Sequence, residues 1–285
     1  MKELELIRRL RPYLAGSGGE LVIGAGEDDA AAWREADGSF TVATCDAAVE
    51  GVHFDLARQR PSEVGWRALA FALGDLAAKG AEPTYGMVSI SIPPGWKEAI
   101  VEGIYSGMAG LAVEIGLRLI GGDTTSAPTH GSLWLALWGR TSLRPIPRSE
   151  AQAGWVIGVS GPLGGAGLNV GKPRPRLKLG ATLTRAGVCC GDISDGLLRE
   201  LDKFAAAAPG VGARLKLSAV PTVESATLIQ AISSGEEVEL IGVAPGSLPE
   251  ELIRVGELTD DGVVRVVDDA GEEIEVRERG YDHFG

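Results

Sequence analysis

The sequence predicts a two-domain protein in which helices cover α+β or α/β sheets, and three features carry that reading. At 285 residues the chain is too long for one small core and suits two domains of about 100–200 residues each. Strand-like and helix-like periodicities alternate through the first half, as in a sheet layer covered by helices. The segment Leu143-Arg-Pro-Ile-Pro-Arg148 carries two prolines after a strand pattern, which is linker chemistry. It divides the chain into 1–145 and 146–285.

In order along the chain, Leu4, Ile7, Leu10 and Leu14 fall at helical spacing, so Met1 to Leu14 reads as an amphipathic helix and not as a signal peptide. Phe40 to Asp46 is β-rich, and a period of two puts Phe40, Val42, Thr44 and Asp46 on one side. A helix is expected from Ser62 to Lys79, a strand from Tyr85 to Ile92 and a helix from Trp96 to Ile115. Strands are expected at Leu117 to Ile120 and Leu133 to Trp138. Beyond the linker come a strand at Trp155 to Ser160, a glycine-rich stretch from Gly161 to Gly171 and a helix from Ser194 to Ala208. Shorter strands separated by turns complete the chain.

Composition excludes several functions. Hydrophobic residues make up 45% and charged residues 23%, the balance of a packed globular protein. The net charge of −12 and the lack of a Lys/Arg cluster argue against a nucleic-acid ligand. No run reaches about 18 uncharged apolar residues, so no membrane span is expected. The three cysteines, Cys45, Cys189 and Cys190, suit neither a disulfide framework nor a zinc site and point to a reducing, cytoplasmic setting. The three histidines, His53, His130 and His283, form no Ser-His-Asp or Cys-His pattern, so acyl transfer is not expected.

The informative residues are acidic. Asp75 is the one charge between Ala68 and Ala78, in a helix apolar on every face and therefore buried. A lone buried carboxylate costs several kcal/mol unless paired. Asp75 therefore calls for a cation, either an arginine from a distant segment or a metal ion. Asp28 and Asp29 follow Gly-Ala-Gly-Glu, Asp46 ends a strand pattern, Asp123 follows Gly121-Gly122, and Asp192 and Asp195 bracket Ser194 at a helix start. Each alone reads as a turn or an N-cap. Together, with few softer ligands, they point to Mg²⁺. Gly161-Pro-Leu-Gly-Gly-Ala-Gly167 is not a P-loop, because Ala166 and Pro173 stand where a glycine and a hydroxyl residue are required.

Six segments in register resemble the thiamine-monophosphate kinase family, of the superfamily that includes aminoimidazole ribonucleotide synthetase. They are Asp28-Asp29-Ala-Ala, Thr44-Cys-Asp-Ala-Ala-Val-Glu-Gly-Val-His-Phe54, Gly74-Asp-Leu-Ala-Ala-Lys-Gly80, Leu119-Ile-Gly-Gly-Asp-Thr-Thr125, Asp192-Ile-Ser-Asp-Gly196 and Gly280-Tyr-Asp-His-Phe284. The resemblance implies a ferredoxin-like α+β N-terminal domain that completes a barrel across a homodimer, and a C-terminal α/β domain. It implies ATP-dependent phosphorylation of thiamine monophosphate, with several Mg²⁺ ions. Metal ligation is implied for Asp29, Thr44, Cys45, Asp46, Asp75, Asp123, Asp192 and Asp195, with Asp75, Asp123 and Asp195 as the catalytic acids. Nucleotide contacts are implied for Tyr105, Gly122, Asp123, Arg148 and Ser194, and substrate contacts for His53, Glu236 and Tyr281.

Two positions depart from the family pattern, and the C-terminal domain is also somewhat short for it. Cys45 stands at a hydroxyl position, which matters only if its side chain, rather than its carbonyl, binds metal. Ser234-Gly-Glu-Glu-Val-Glu-Leu240 keeps the family's first acid and loses an Asp-Tyr pair. The alternatives are another ATP-dependent synthetase of the superfamily, disfavoured by the Gly-Tyr-Asp-His-Phe segment, and a non-catalytic thiamine-phosphate binding protein.

Overall fold

In the computed structural model, which describes residues 2–165 and 171–284, two mixed six-stranded sheets each carry helices. Residues 166–170 of the glycine-rich stretch lie outside the described residues.

The first half contains α1 (Glu3–Leu10), β1 (Leu21–Ile23), β2 (Ala31–Arg34), β3 (Phe40–Val49), α2 (Pro61–Ala78), β4 (Glu82–Ile92), α3 (Glu98–Ile115), β5 (Arg118–Ser126) and β6 (Ser132–Thr141). Its strand order is β1-β2-β3-β6-β4-β5. All pairs are antiparallel except β4 with β5, which α3 connects. The second half contains β7 (Val156–Val159), α4 (Leu177–Arg185), β8 (Cys189–Asp192), α5 (Leu197–Ala207), β9 (Gly212–Lys216), α6 (Leu228–Ser233), β10 (Leu240–Ala244), β11 (Ile253–Thr259) and β12 (Val264–Val267). That sheet runs β12-β9-β11-β7-β10-β8 and is antiparallel except where β12 meets β9.

Helix α2 is the axis of the molecule. Pro61 starts it with a pre-set φ, and the Glu63 carboxylate accepts from the Arg60 amide at 3.0 Å, satisfying a donor at the helix start. Its apolar surface is buried on all sides, as its composition predicts. Leu69, Leu73 and Leu76 pack with Ile104, Met108 and Leu111 of α3 and with Leu133, Leu135 and Leu137 of β6. Its last turn, Ala77 and Ala78, packs with Leu183, Val188 and Leu240 of the second half. One helix therefore serves two sheets, and Asp75 sits where they meet.

The strand expected to end at Asp46 continues to Val49, and the strand expected to stop at Ile120 runs through Gly121-Gly122-Asp123 to Ser126. Both extensions come from pairing, β3 against β6 and β5 against β4, which sequence periodicity does not register. The face of the first sheet away from α2 exposes Tyr85 and Met87 of β4 and Trp134 of β6.

Candidate active site

The acidic residues converge where the β1–β2 connection, β3, α2 and the β8–α5 junction meet. One oxygen each of Asp29, Asp75 and Asp192 can be chosen so that all three lie within 4.8 Å of one another. Gly74 makes the approach possible: a Cβ there would stand 2.9 Å from Asp192 Oδ2. Asp46 and Asp195 border the same space, in the wall shared by two cavities of about 460 and 360 Å³.

The surrounding cations are distributed unevenly. Lys79 Nζ, fully buried, lies 2.5 Å from Asp28 Oδ1 and donates to the Cys190 carbonyl at 2.7 Å. Arg148, also buried, donates Nη2 to Asp29 Oδ1 at 2.6 Å and to Glu200 Oε2 at 2.5 Å, while its amide donates to Asp28 Oδ2 at 2.7 Å. Lys203 Nζ bridges Asp195 at 2.7 Å and Glu200 at 2.5 Å. Asp75 has no such partner among the described residues; its Oδ2 accepts a hydrogen bond from Thr44 Oγ1. Of the two readings open for Asp75, the arginine is thereby excluded among the described residues.

Charge balance follows that distribution. Burial raises the Asp75 carboxyl well above the usual range, and Asp192, Asp29 and Asp46 push it further the same way. Asp192 is raised by burial and by Asp29 and Glu200; Asp46 is raised by burial and by Asp195. Burial acts upward on Asp29 as well, but Arg148, Lys79 and Lys203 outweigh it and hold that carboxyl low. Glu200 is lifted to about 7 chiefly by burial.

Asp29 Oδ2 and Asp192 Oδ1 are buried without a hydrogen-bond partner among the described residues. Orphaned acceptors of this kind are rare in folded proteins. Here they belong to two of the three clustered carboxylates, and oxygen ligands are the set a hard divalent cation requires. The residues fit Mg²⁺.

The larger cavity has a different character. His53, Phe54, Phe71, Tyr281 and His283 give it aromatic walls, and Ser194 and Glu236 line it as well. The His53 and His283 rings are 5.3 Å apart, and Tyr281 meets His283 edge-on at 4.8 Å. His53 Nδ1 accepts from the Val49 amide at 3.1 Å, and burial with the neighbouring His283 lowers its pKa. Glu236 has a left-handed backbone, φ 57°, donates its amide to the Ser194 carbonyl at 2.6 Å and pairs with Arg67 of α2 at 2.8 Å.

Three sequence candidates stand apart. Asp46 pairs with Leu135, Leu135 with Val88 and Val88 with Gly122, so Gly122 lies three strands, about 14 Å, from Asp46. Asp123, one residue on, points to the opposite face and is exposed. Tyr105 on α3 borders neither cavity. Cys45 alternates with Thr44 and Asp46, is exposed, and borders the smaller cavity with Arg148 and Ser194. Sequence reasoning missed Lys79, Glu200 and Lys203. The i,i+3 spacing of Glu200 and Lys203 on a predicted helix was the available signal.

The family described as "AIR synthase related protein, N-terminal domain" has a model that matches residues 27–139. The thiamine-monophosphate kinase of Synechococcus elongatus is 31% identical, with 90% of each chain covered. This chain belongs to the thiamine-monophosphate kinase family. A solved thiamine-monophosphate kinase from Stenotrophomonas maltophilia K279a is 28% identical with a TM-score of 0.71, covering 95% of this chain and 96% of that one. AaThiL, complexed with AMPPCP and TMP, shares the fold at a TM-score of 0.84 and 22% identity, over 99% and 97% of the two chains. Against the thiamine-monophosphate kinase pattern, the altered 234–240 segment still presents Ser234, Gly235 and Glu236 to the larger cavity.

Proposed function

We propose that the chain transfers the γ-phosphoryl group of ATP to the phosphate of thiamine monophosphate. The observation that carries this is the pair of adjoining cavities sharing one acidic wall, in a chain whose relatives are kinases of that substrate. The AMPPCP and TMP held by a protein of the same fold fit the same reading.

Asp29, Asp75 and Asp192 would hold Mg²⁺, with Asp46, Thr44, Asp195 and the Cys45 backbone beside it. When bound, the cation offsets the repulsion between two anionic reactants and helps align them in line. The aromatic cavity takes the acceptor, with His53, Tyr281 and Glu236 around it; Arg148 and Ser194 face the nucleotide side. An acceptor phosphate oxygen attacks the γ-phosphorus as the bond to the β,γ-bridging oxygen breaks, releasing ADP. A phosphate monoester has its second pKa near about 6, so the acceptor is already an anion and no strong general base is needed. The scarcity of histidine is consistent with that.

Asp123, Gly122 and Tyr105 have a role if a second copy completes the site. The exposed β5 edge and the apolar face bearing Tyr85, Met87 and Trp134 favour a homodimer closed as a barrel, with 1–145 as the dimer-forming, ferredoxin-like domain and 146–285 as the second. Among the described residues no helix is long and apolar enough to cross a membrane; the cytoplasmic setting remains the proposal drawn from the cysteine usage. ADP release measured with thiamine monophosphate, with and without Mg²⁺, tests the reading. Binding of thiamine monophosphate without ADP release would favour a non-catalytic binding protein instead.

A further inference from the structure

We propose that Arg199 is a positioning residue: it ties the two ends of the chain together over the site and so builds the wall against which the acceptor binds. The inference rests on the aromatic cavity being the acceptor site. Arg199 lies near the start of α5, and its Nη2 donates at 3.1 Å to Glu3 Oε2 of α1 and at 3.1 Å to Asp282 Oδ2 of the C-terminal tail. Its side chain is 12% exposed, and its Nε is buried with no partner among the described residues. The guanidinium is thus committed to the two chain ends, although its helix already packs well without it.

The tail is seated by the same helix start. Gly280 has φ 120°, and a Cβ there would stand 2.4 Å from the Asp195 carbonyl and 2.7 Å from Arg199 Cβ, so only glycine lets the tail lie this close. The next amide, Tyr281 N, donates to that Asp195 carbonyl at 2.9 Å. Asp282 Oδ1 accepts from Phe284 N at 3.0 Å, so this carboxylate both bends the tail and anchors it to Arg199. That bend sets His283 against His53 of the first half.

Glu3 borders both cavities. One guanidinium therefore couples the element that covers the smaller cavity to the residues that wall the larger one. A plain structural ion pair would alter stability and leave the acceptor's KM alone. A positioning residue alters KM while kcat at saturation holds, because Arg199 touches none of the reacting groups.

Arg199→Met and Arg199→Lys are to be compared with the wild-type chain by ADP release at varied thiamine monophosphate, and by hydrogen exchange of residues 3–8 and 280–284. Losing two charge-assisted hydrogen bonds in Arg199→Met raises the acceptor KM about tenfold or more, with kcat within about twofold. Exchange rises in both chain ends together, and Arg199→Lys recovers part of the affinity. Should Arg199→Met fold poorly, Asp282→Asn and Glu3→Gln, singly and combined, replace it, and non-additive changes in KM carry the same meaning. A wild-type chain with no saturable response to thiamine monophosphate overturns the assignment of the cavity and this inference with it. An unmoved KM in the variants beside normal wild-type kinetics overturns this inference alone.

Discussion

Two groups of buried acids lie side by side in this molecule and are treated oppositely. Asp28 and Glu200 are paid in full by Lys79, Arg148 and Lys203, at distances of 2.5 to 3.4 Å. Among the described residues, Asp75 and Asp192 face one another and Asp29 without an ion pair of their own, and their carboxyls are pushed upward. Leaving a carboxylate buried and unpaired is among the costlier things a fold can do. The paired group therefore belongs to the architecture, and the proposed Mg²⁺ site would supply the positive charge that the unpaired group lacks.

Substitutions on the two sides break that contrast if they behave alike. Asp75→Asn removes a repelled charge from a site held by oxygen ligands, so ADP release falls on the order of 10⁴-fold while the melting temperature holds or rises. Retained turnover would deny Asp75 its role. Lys79→Met does the reverse, leaving the buried Asp28 with only the longer Arg148 ion pair at 3.4 Å and the Arg148 amide. Breaking a buried pair costs about 3–5 kcal/mol, visible as a lower urea midpoint; an unchanged midpoint would mean that Arg148 alone satisfies Asp28.

How much of this the sequence carries depends on which signal each part uses. Asp75 was legible because a single charge in an apolar helix is a local anomaly, and α2 was placed within one residue at each end. β8 was not, because Cys-Cys-Gly-Asp is four residues buried on both faces and has no alternation to read. β1 and β2 are likewise three and four residues long. The convergence of Asp29, Asp75 and Asp192 was an expectation from family resemblance and could not come from periodicity, since it depends on how α2 crosses between two sheets. The separation of Asp123 was hidden for the same reason: Gly-Gly-Asp reads as a turn, yet its backbone is an edge strand paired to β4.

Metal addition sharpens the contrast by a smaller amount. A ligand that binds only the folded chain stabilises it by about 2.7 kcal/mol at a hundredfold excess over Kd, so Mg²⁺ raises the wild-type melting temperature by several degrees. In Asp75→Asn the increment shrinks, and in Lys79→Met it persists, because that substitution leaves the unpaired acids in place. Equal increments in all three proteins would put the cation elsewhere.

The smallest expected effect lies furthest from the acids. Tyr281 is 45% exposed and touches the site through its edge contact with His283 at 4.8 Å. An aromatic contact of this kind contributes about 0.5–1.5 kcal/mol beyond its buried area. Tyr281→Ala therefore raises the KM for thiamine monophosphate roughly three- to tenfold and leaves kcat and the Mg²⁺ increment alone. A fall in kcat with KM unchanged would move Tyr281 from the acceptor wall toward the acidic centre, and the division between aromatic cavity and carboxylate cluster would no longer hold.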